Sequence, residues 1–153
     1  MTRAAAAVRP AEAGDAEPIS MLVGELGYPA PVGDIPRRLA AIADGHDAIA
    51  LVAVDGSSVV GLITAHVIPT IHESDPHAML TTLVVAETHR GAGIGSLLVS
   101  HAERWAALKG AVRFSVTSGI QRARTHEFYE RRDYARTGFR FTKKLDPDPP
   151  SGT

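Results

Sequence analysis

LVVAETHRGAGIGSLLVSHAERWAALKG, residues 83–110, changes its hydrophobic period halfway along. Leu83-Val84-Val85 is an apolar run of β type, Ala86 to His89 is a polar turn, and Arg90-Gly91-Ala92-Gly93-Ile94-Gly95-Ser96 follows. After the glycines, Ile94, Leu97, Leu98, His101, Trp105 and Leu108 recur at helical spacing, and Gly110 stands where a C′ glycine ends a helix. The glycines therefore occupy a strand-to-helix junction. A helix N-terminus offers unpaired N–H groups and a partial positive charge, and glycines let a pyrophosphate approach that backbone closely. Two nucleotide loops fit less well. A P-loop needs Lys-Ser/Thr after its second glycine, whereas Gly95 is followed by Ser96-Leu97. A Rossmann fingerprint needs G-x-G-x-x-G inside an early βαβ unit, whereas Gly91, Gly93 and Gly95 are spaced by two and no such unit surrounds them.

Composition sets the outer limits. The chain has 153 residues, about one domain, with 44% hydrophobic and 22% charged residues, ordinary for a soluble globular protein. Sixteen basic against seventeen acidic residues give no field that would draw in nucleic acid or an anionic membrane surface. With no cysteine there is no disulfide framework, thiolate metal site or cysteine nucleophile. Met1 to Val8 is too short and too weakly apolar for a signal sequence, and no run reaches the ~20 apolar residues of a membrane span. These features predict a cytoplasmic protein with neither a nucleic-acid nor a membrane partner.

Outward from the glycine loop, Ala78 to Val85 reads as a central strand. Ahead of it, Ala5 to Arg9 reads as a first strand stopped by Pro10, and Ala13-Gly14-Asp15 as the N-cap region of a helix running to Leu26 with an Ile19, Leu22, Val23, Leu26 stripe. A second helix is predicted over roughly Asp34 to Ala43. The Gly27–Pro31 break between them fits either a plain connector or the wall of an amine-binding cleft, with Glu25 and Tyr28 as polar contacts. Ala48 to Val54 and Ser57 to Ile68, joined at Asp55-Gly56, read as a β-hairpin, and Pro69 to His77 as a polar excursion. Beyond the main helix come a short strand, Val112 to Thr117, a helix from about Arg122 to Arg132, and a closing strand, Thr137 to Lys144. Residues 1–145 then make one domain. Residues 146–153, with three prolines and no apolar side chain, are expected to be a disordered tail.

Arg90-x-x-Gly93-x-Gly95 between strand and helix, preceded by Leu-Val-Val, resembles the acyl-CoA pyrophosphate loop of the GNAT N-acetyltransferases. Ser118 to Glu130, with Phe128-Tyr129-Glu130 followed by Tyr134 and Phe139, resembles the C-terminal motif of the same family; Asp133-Tyr134 stands where the family has a Gly-Phe or Gly-Tyr pair. The resemblance covers about residues 5–145. It implies an α/β (α+β) fold with a mixed, mainly antiparallel twisted sheet, split at the central strand, and helices on both faces. It also implies acetyl-CoA as cosubstrate, bound along Leu83, Val84 and Val85 and by Arg90, Gly91, Ala92, Gly93, Ile94, Gly95 and Ser96, and a small-molecule amine as acceptor. A backbone N–H near Val85 would meet the oxyanion. Tyr129 would be the general acid for the departing thiolate, whose conjugate acid has a pKa of about 8.5 by comparison with Cys. Within the family the Gly61 to His66 strand, the histidine-bearing loop and the ending Phe139 to Leu145 look like aminoalkylphosphonate N-acetyltransferases. By analogy with the family, the exposed closing strand suggests a homodimer.

Arg122, His126 and Tyr129 share a helical face, so Arg122 fits a CoA phosphate and His126 the sulfur or the substrate, or both belong to a solvated face. Many relatives carry Glu one or two residues before Leu-Val-Val, whereas this chain has Thr81 and Thr82. A threonine hydroxyl is no base at neutral pH, though Thr82 can hold a water or the substrate. The candidates for the base are His66 on the hairpin strand and His72 in the following loop, with Glu73 behind them; each also reads as a structural or solvated histidine. His72, Glu73, Asp75 and His77 are suitable metal ligands in type, but their spacing matches no compact site. His101, on the apolar stripe, is expected in the core. The rival to an enzyme is a catalytically silent acyl-CoA-binding sensor or interaction module, which would keep the loop and lose the base.

Overall fold

A computed structural model describes residues 6–117, 123–138 and 140–146. The chain forms two compact units, Met1–Val116 and Thr117–Thr153. The first holds five strands, β1 (Ala7–Pro10), β2 (Ala48–Asp55), β3 (Ser58–Ile68), β4 (His77–Val85) and β5 (Arg113–Val116), in the spatial order β1-β2-β3-β4-β5. The first three pairings are antiparallel and the last, β4 with β5, is parallel. Helices α1 (Ala16–Glu25) and α2 (Ile35–Asp44) follow β1, and α3 (Ile94–Leu108) is the crossover from β4 to β5. This is the mixed, mainly antiparallel sheet that the sequence resemblance implies.

The two faces carry different helices. Ile19 and Leu22 of α1 and Ile35 of α2 form one buried cluster with Val52, Leu62 and Val84. On the other face, an added Cβ on Gly61 would lie 2.9 Å from Leu98 Cδ1 and 3.2 Å from Ile94 Cγ2, so the missing side chain is what lets α3 lie against β3. Further along that face, Val67 and Ala78 meet Ala106. Leu62 and Gly61 are neighbours on one strand, and strand alternation sends them to opposite layers.

Element boundaries moved for identifiable reasons. β1 ends on Pro10 itself, one residue later than expected: Pro10 is paired opposite Leu51, at a sheet edge where a missing N–H costs nothing. Asp15 does not cap α1 with its side chain. Its carboxylate takes two bonds of 2.8 Å from Arg9 and one from the Glu12 N–H. The hairpin turn is Gly56-Ser57, with Gly56 at φ 64° and Asp55 paired to Ser58 inside the ladder. α1 and α3 both end in Schellman motifs: Gly27 and Gly110 take positive φ, Tyr28 N–H donates to Val23 O, and Ala111 N–H to Ala106 O.

The apolar stripe of α3 is rotated from the expected one. Ile94, Leu98, Val99, Ala102 and Ala106 are buried, Leu97 and Trp105 are half-buried, and His101 and Leu108 are exposed. His101 is thus not a core residue. Alanines line the contact because they let the helix lie close to the sheet, whereas periodicity scored on large side chains alone picks the adjacent row.

In the second unit, α4 (Ala123–Glu130) is the helix expected near residue 122. The closing strand is not found: residues 137–138 and 140–144 form no strand and are exposed, Phe141 at 94%. Without a paired neighbour an extended segment does not become a strand, so the edge that suggested a homodimer is missing among the described residues. Of the predicted tail, 146–153, residues 147–153 lie outside them. No helix among them is long and apolar enough to cross a membrane.

Candidate active site

The parallel pairing of β4 with β5 lasts only from His77↔Arg113 to Leu80↔Val116. β4 then continues through Thr81–Val85 while β5 has ended, so among the described residues the outer edge of this half-strand has no strand partner. Leu83, Val84 and Val85 lie on it, with the Val84 side chain buried against α1 and α2 and those of Leu83 and Val85 half-buried. Such an edge offers backbone donors and acceptors to an extended ligand. At the mouth of the split the register jumps, from Ala65↔Leu80 to Thr64↔Thr82, leaving Thr81 as an extra residue.

From Val85 the chain runs into the glycine loop. A short 3₁₀ turn, Glu87–His89, precedes an extended Arg90, and Gly91 and Gly93 follow at φ 81° and 83°. Gly93 is the N-cap of α3; it has no side chain to cap the helix, and the first intrahelical bond runs from Leu97 N–H to Gly93 O. The N–H groups of Ile94, Gly95 and Ser96 therefore stand at the positive end of a 15-residue helix. A Cβ placed on Gly91 or Gly93 would meet nothing within 4 Å, so the space over the loop is open and only the left-handed backbone demands glycine. An anionic diphosphate fits such a cradle.

Side-chain contacts hold the loop. His89 Nε2 donates to Asp55 Oδ2 at 3.0 Å while its Nδ1 lies 2.8 Å from Thr88 Oγ1, tying the loop to the hairpin turn. A carboxylate only accepts, which fixes the proton on Nε2. Glu25 Oε2 accepts from the Glu87 N–H at 3.3 Å and lies 4.0 Å from Arg90, whose Nε also donates to Val85 O. Glu25, expected to contact substrate, thus faces the loop, and Tyr28 is exposed.

On the α1/α2 side of the sheet, those helices cover Leu62 and Val84 but leave the next residues of each strand half open: Thr64 and His66 on β3, and Thr82 on β4, are half-buried and Thr81 is exposed. The hydroxyls of Thr64 and Thr81 lie 2.6 Å apart. Sequence reasoning missed this pair because its members are far apart in the chain and joined only by the bulge.

The loop histidine expected as a base, His72, is exposed and 3.9 Å from Glu73. Glu73 instead bonds His77 Nε2 at 2.8 Å and lies 3.1 Å from Arg113. The His77 bond, helped by Arg113 and His72, holds the Glu73 carboxyl below its ordinary range. Among the described residues no three His, Asp or Glu side chains converge to hold a metal ion.

In the second unit Tyr129 is buried and its phenol pKa is pushed up to about 12 by desolvation. It packs on Phe128 and on Tyr134, ring centroids 5.2 and 5.5 Å away. α4 closes in a third Schellman motif: Asp133 at φ 69° is C′, with Asp133 N–H donating to Glu130 O and Tyr134 N–H to Tyr129 O. Asp133 thus adopts a left-handed conformation, which favours glycine. His126 is half-buried on α4, and Arg122 and Phe139 lie outside the described residues.

Known proteins resemble this chain in sequence and in fold. The acetyltransferase (GNAT) family model matches residues 20–134. An aminoalkylphosphonate N-acetyltransferase of Salmonella typhimurium is 37% identical over 93 residues, 61% of this chain and 60% of that enzyme, so the match spans less than two thirds of the relative. In fold, a transcriptional regulator from Bacillus halodurans superposes with a TM-score of 0.83 at 23% identity, over 92% of this chain and 99% of that one. A GNAT family acetyltransferase from Staphylococcus aureus gives 0.78 at 21%, over 93% and 100%. With the family match running from α1 through the split sheet and the glycine loop to the cap of α4, the chain belongs to the GNAT acetyltransferase family.

Proposed function

We infer that the protein is an N-acetyltransferase that moves the acetyl group of acetyl-CoA to the primary amine of a small molecule by direct attack in a ternary complex. The observation that carries this is the open cradle of Gly91, Gly93 and the uncapped α3 N-terminus, continuous with the edge of β4 that has no strand partner among the described residues. In this reading Arg90 to Ser96 bind the diphosphate, and Leu83 to Val85 lie along the pantetheine arm. Acetyl-CoA, when bound, supplies the activated thioester. The amine must be neutral to attack, and His66 on the open face, or His72 through water, takes its proton.

Tyr129 is the donor toward the departing sulfur. A phenol holds its proton through the neutral range, and burial extends that range further upward. A phenol near 12 is an uphill proton source for a thiolate whose conjugate acid is about 8.5. Tyr129 therefore acts chiefly by a hydrogen bond to the sulfur, while the nitrogen's surplus proton passes through solvent to the departing thiolate, which is released as CoA thiol as the amide forms. His126 and Arg122 belong to the CoA end of the same reading.

Similarity to the Salmonella enzyme makes aminoalkylphosphonates the first acceptors to try. The test is release of CoA thiol from acetyl-CoA with aminoalkylphosphonates, polyamines and aminoglycosides, beside a no-amine control. The expected result is selective turnover, reduced about 10- to 100-fold in Tyr129→Phe, as for loss of one hydrogen bond to a charged sulfur. The lack of a carboxylate at Thr81 and Thr82 favours one second reading, an acyl-CoA-binding module. Acetyl-CoA raising the melting temperature without turnover of any amine would establish it.

A further inference from the structure

We propose that the hydroxyl pair of Thr64 and Thr81 is the docking point for the acceptor amine, taking its N–H groups and aiming its lone pair into the split of the sheet; this rests on the transferase reading above. Thr81 directly follows Leu80, the last residue of β4 with a β5 partner among the described residues, so the pair stands at the mouth of the split. The bulge puts Thr81 on the same face as Thr64, as the 2.6 Å contact between their Oγ1 atoms requires. That face is buried and apolar one step further along, at Leu62 and Val84, and half open at the threonines, so a small molecule can reach the hydroxyls without displacing either helix.

The chemistry matches an amine. Between two hydroxyls one proton lies in the shared bond, which leaves one donor and several lone pairs directed outward. A primary amine has N–H donors to place on those lone pairs, and its own lone pair must stay free for the carbonyl carbon. Hydroxyls do not titrate in the neutral range and cannot remove the proton. His66, two residues from Thr64 and on the same strand face, is the acceptor within reach of an amine held there. The pair would thus position the nucleophile where the family's glutamate is missing, and divide orientation from deprotonation between different residues.

The test measures steady-state kinetics of the full chain with acetyl-CoA and (2-aminoethyl)phosphonate, or the best amine of the panel, for Thr81→Val, Thr64→Val, the double variant and the two Thr→Ser variants. Valine keeps the volume and removes the hydroxyl. The expected result is a fall of about 10- to 100-fold in kcat/KM for the amine in each Val variant. The double variant should be scarcely worse than either single one, Ser should restore most of the activity, and KM for acetyl-CoA should stay within about twofold. Amine kcat/KM unchanged in the Val variants, or equal losses for both substrates, would overturn the inference while leaving the transferase reading intact. If the wild type turns over no amine, both fall together. If a Val variant does not fold, the Ser variants and the other Val variant decide.

Discussion

Asp133 shows how a single residue can keep a motif and depart from its usual sequence. Three helices here end in the same capping geometry, two on Gly27 and Gly110 and the third on an aspartate at φ 69°. The left-handed region costs a side-chain-bearing residue about 1–2 kcal/mol, less for Asp, whose short polar chain tolerates it. The cap survives because Tyr134 N–H bonds Tyr129 O and the two rings meet at 5.5 Å. Asp133→Gly should therefore stabilise the protein by about 0.5–1 kcal/mol, after the added entropy of the unfolded glycine is subtracted. A urea titration reads this as a higher midpoint at unchanged slope, and an unchanged or lower midpoint would contradict it.

At the level of elements, the candidate site depends on how α3 is held. Gly61 lets Leu98 and Ile94 approach β3, and Leu98 is wholly buried, so its side chain has nowhere to turn. Gly61→Ala should cost about 1–3 kcal/mol of stability through overpacking. Denaturation of the variant beside Gly95→Ala, at a half-buried position in the first turn of α3, checks that the loss comes from the helix–sheet contact. The other end of this support is the Thr88–His89–Asp55 chain, which fastens the loop to the β2–β3 turn. Both contacts join segments far apart in sequence, which is why the motif reveals the loop and not what holds it.

For the whole molecule the charge pattern predicts a stability curve with two limbs. Asp15, bonded by Arg9, has its pKa lowered, so its contribution is present above the ordinary Asp value and is lost as pH falls through the lowered one. Tyr129 has its pKa raised by burial from 10.0 to about 12. Below pH 10 both folded and unfolded states hold its proton. Between 10 and 12 only the folded state does, so stability falls there by about 2–3 kcal/mol at most. Unfolding free energies at pH 9 and 12 should show a steeper loss for the wild type than for Tyr129→Phe. Equal losses would mean that the phenol is solvated.

The local features were legible in the residues alone: the strand, the loop and the helix of residues 83–110 with its terminating Gly110, the hairpin and the family. Each is set by short-range chemistry, the period of apolar residues and the few residue types that accept positive φ. The closing strand was misread because extended propensity in 137–144 says nothing about a partner. His101 was misread because a helical stripe of large residues does not reveal that alanines make the contact. Folding of the sheet is what makes Glu73 bond His77 and not His72, turns Glu25 to the loop, and brings Thr81 to Thr64 through a one-residue bulge. Strand register fixes which side chains share a face, and register comes from packing across the whole sheet.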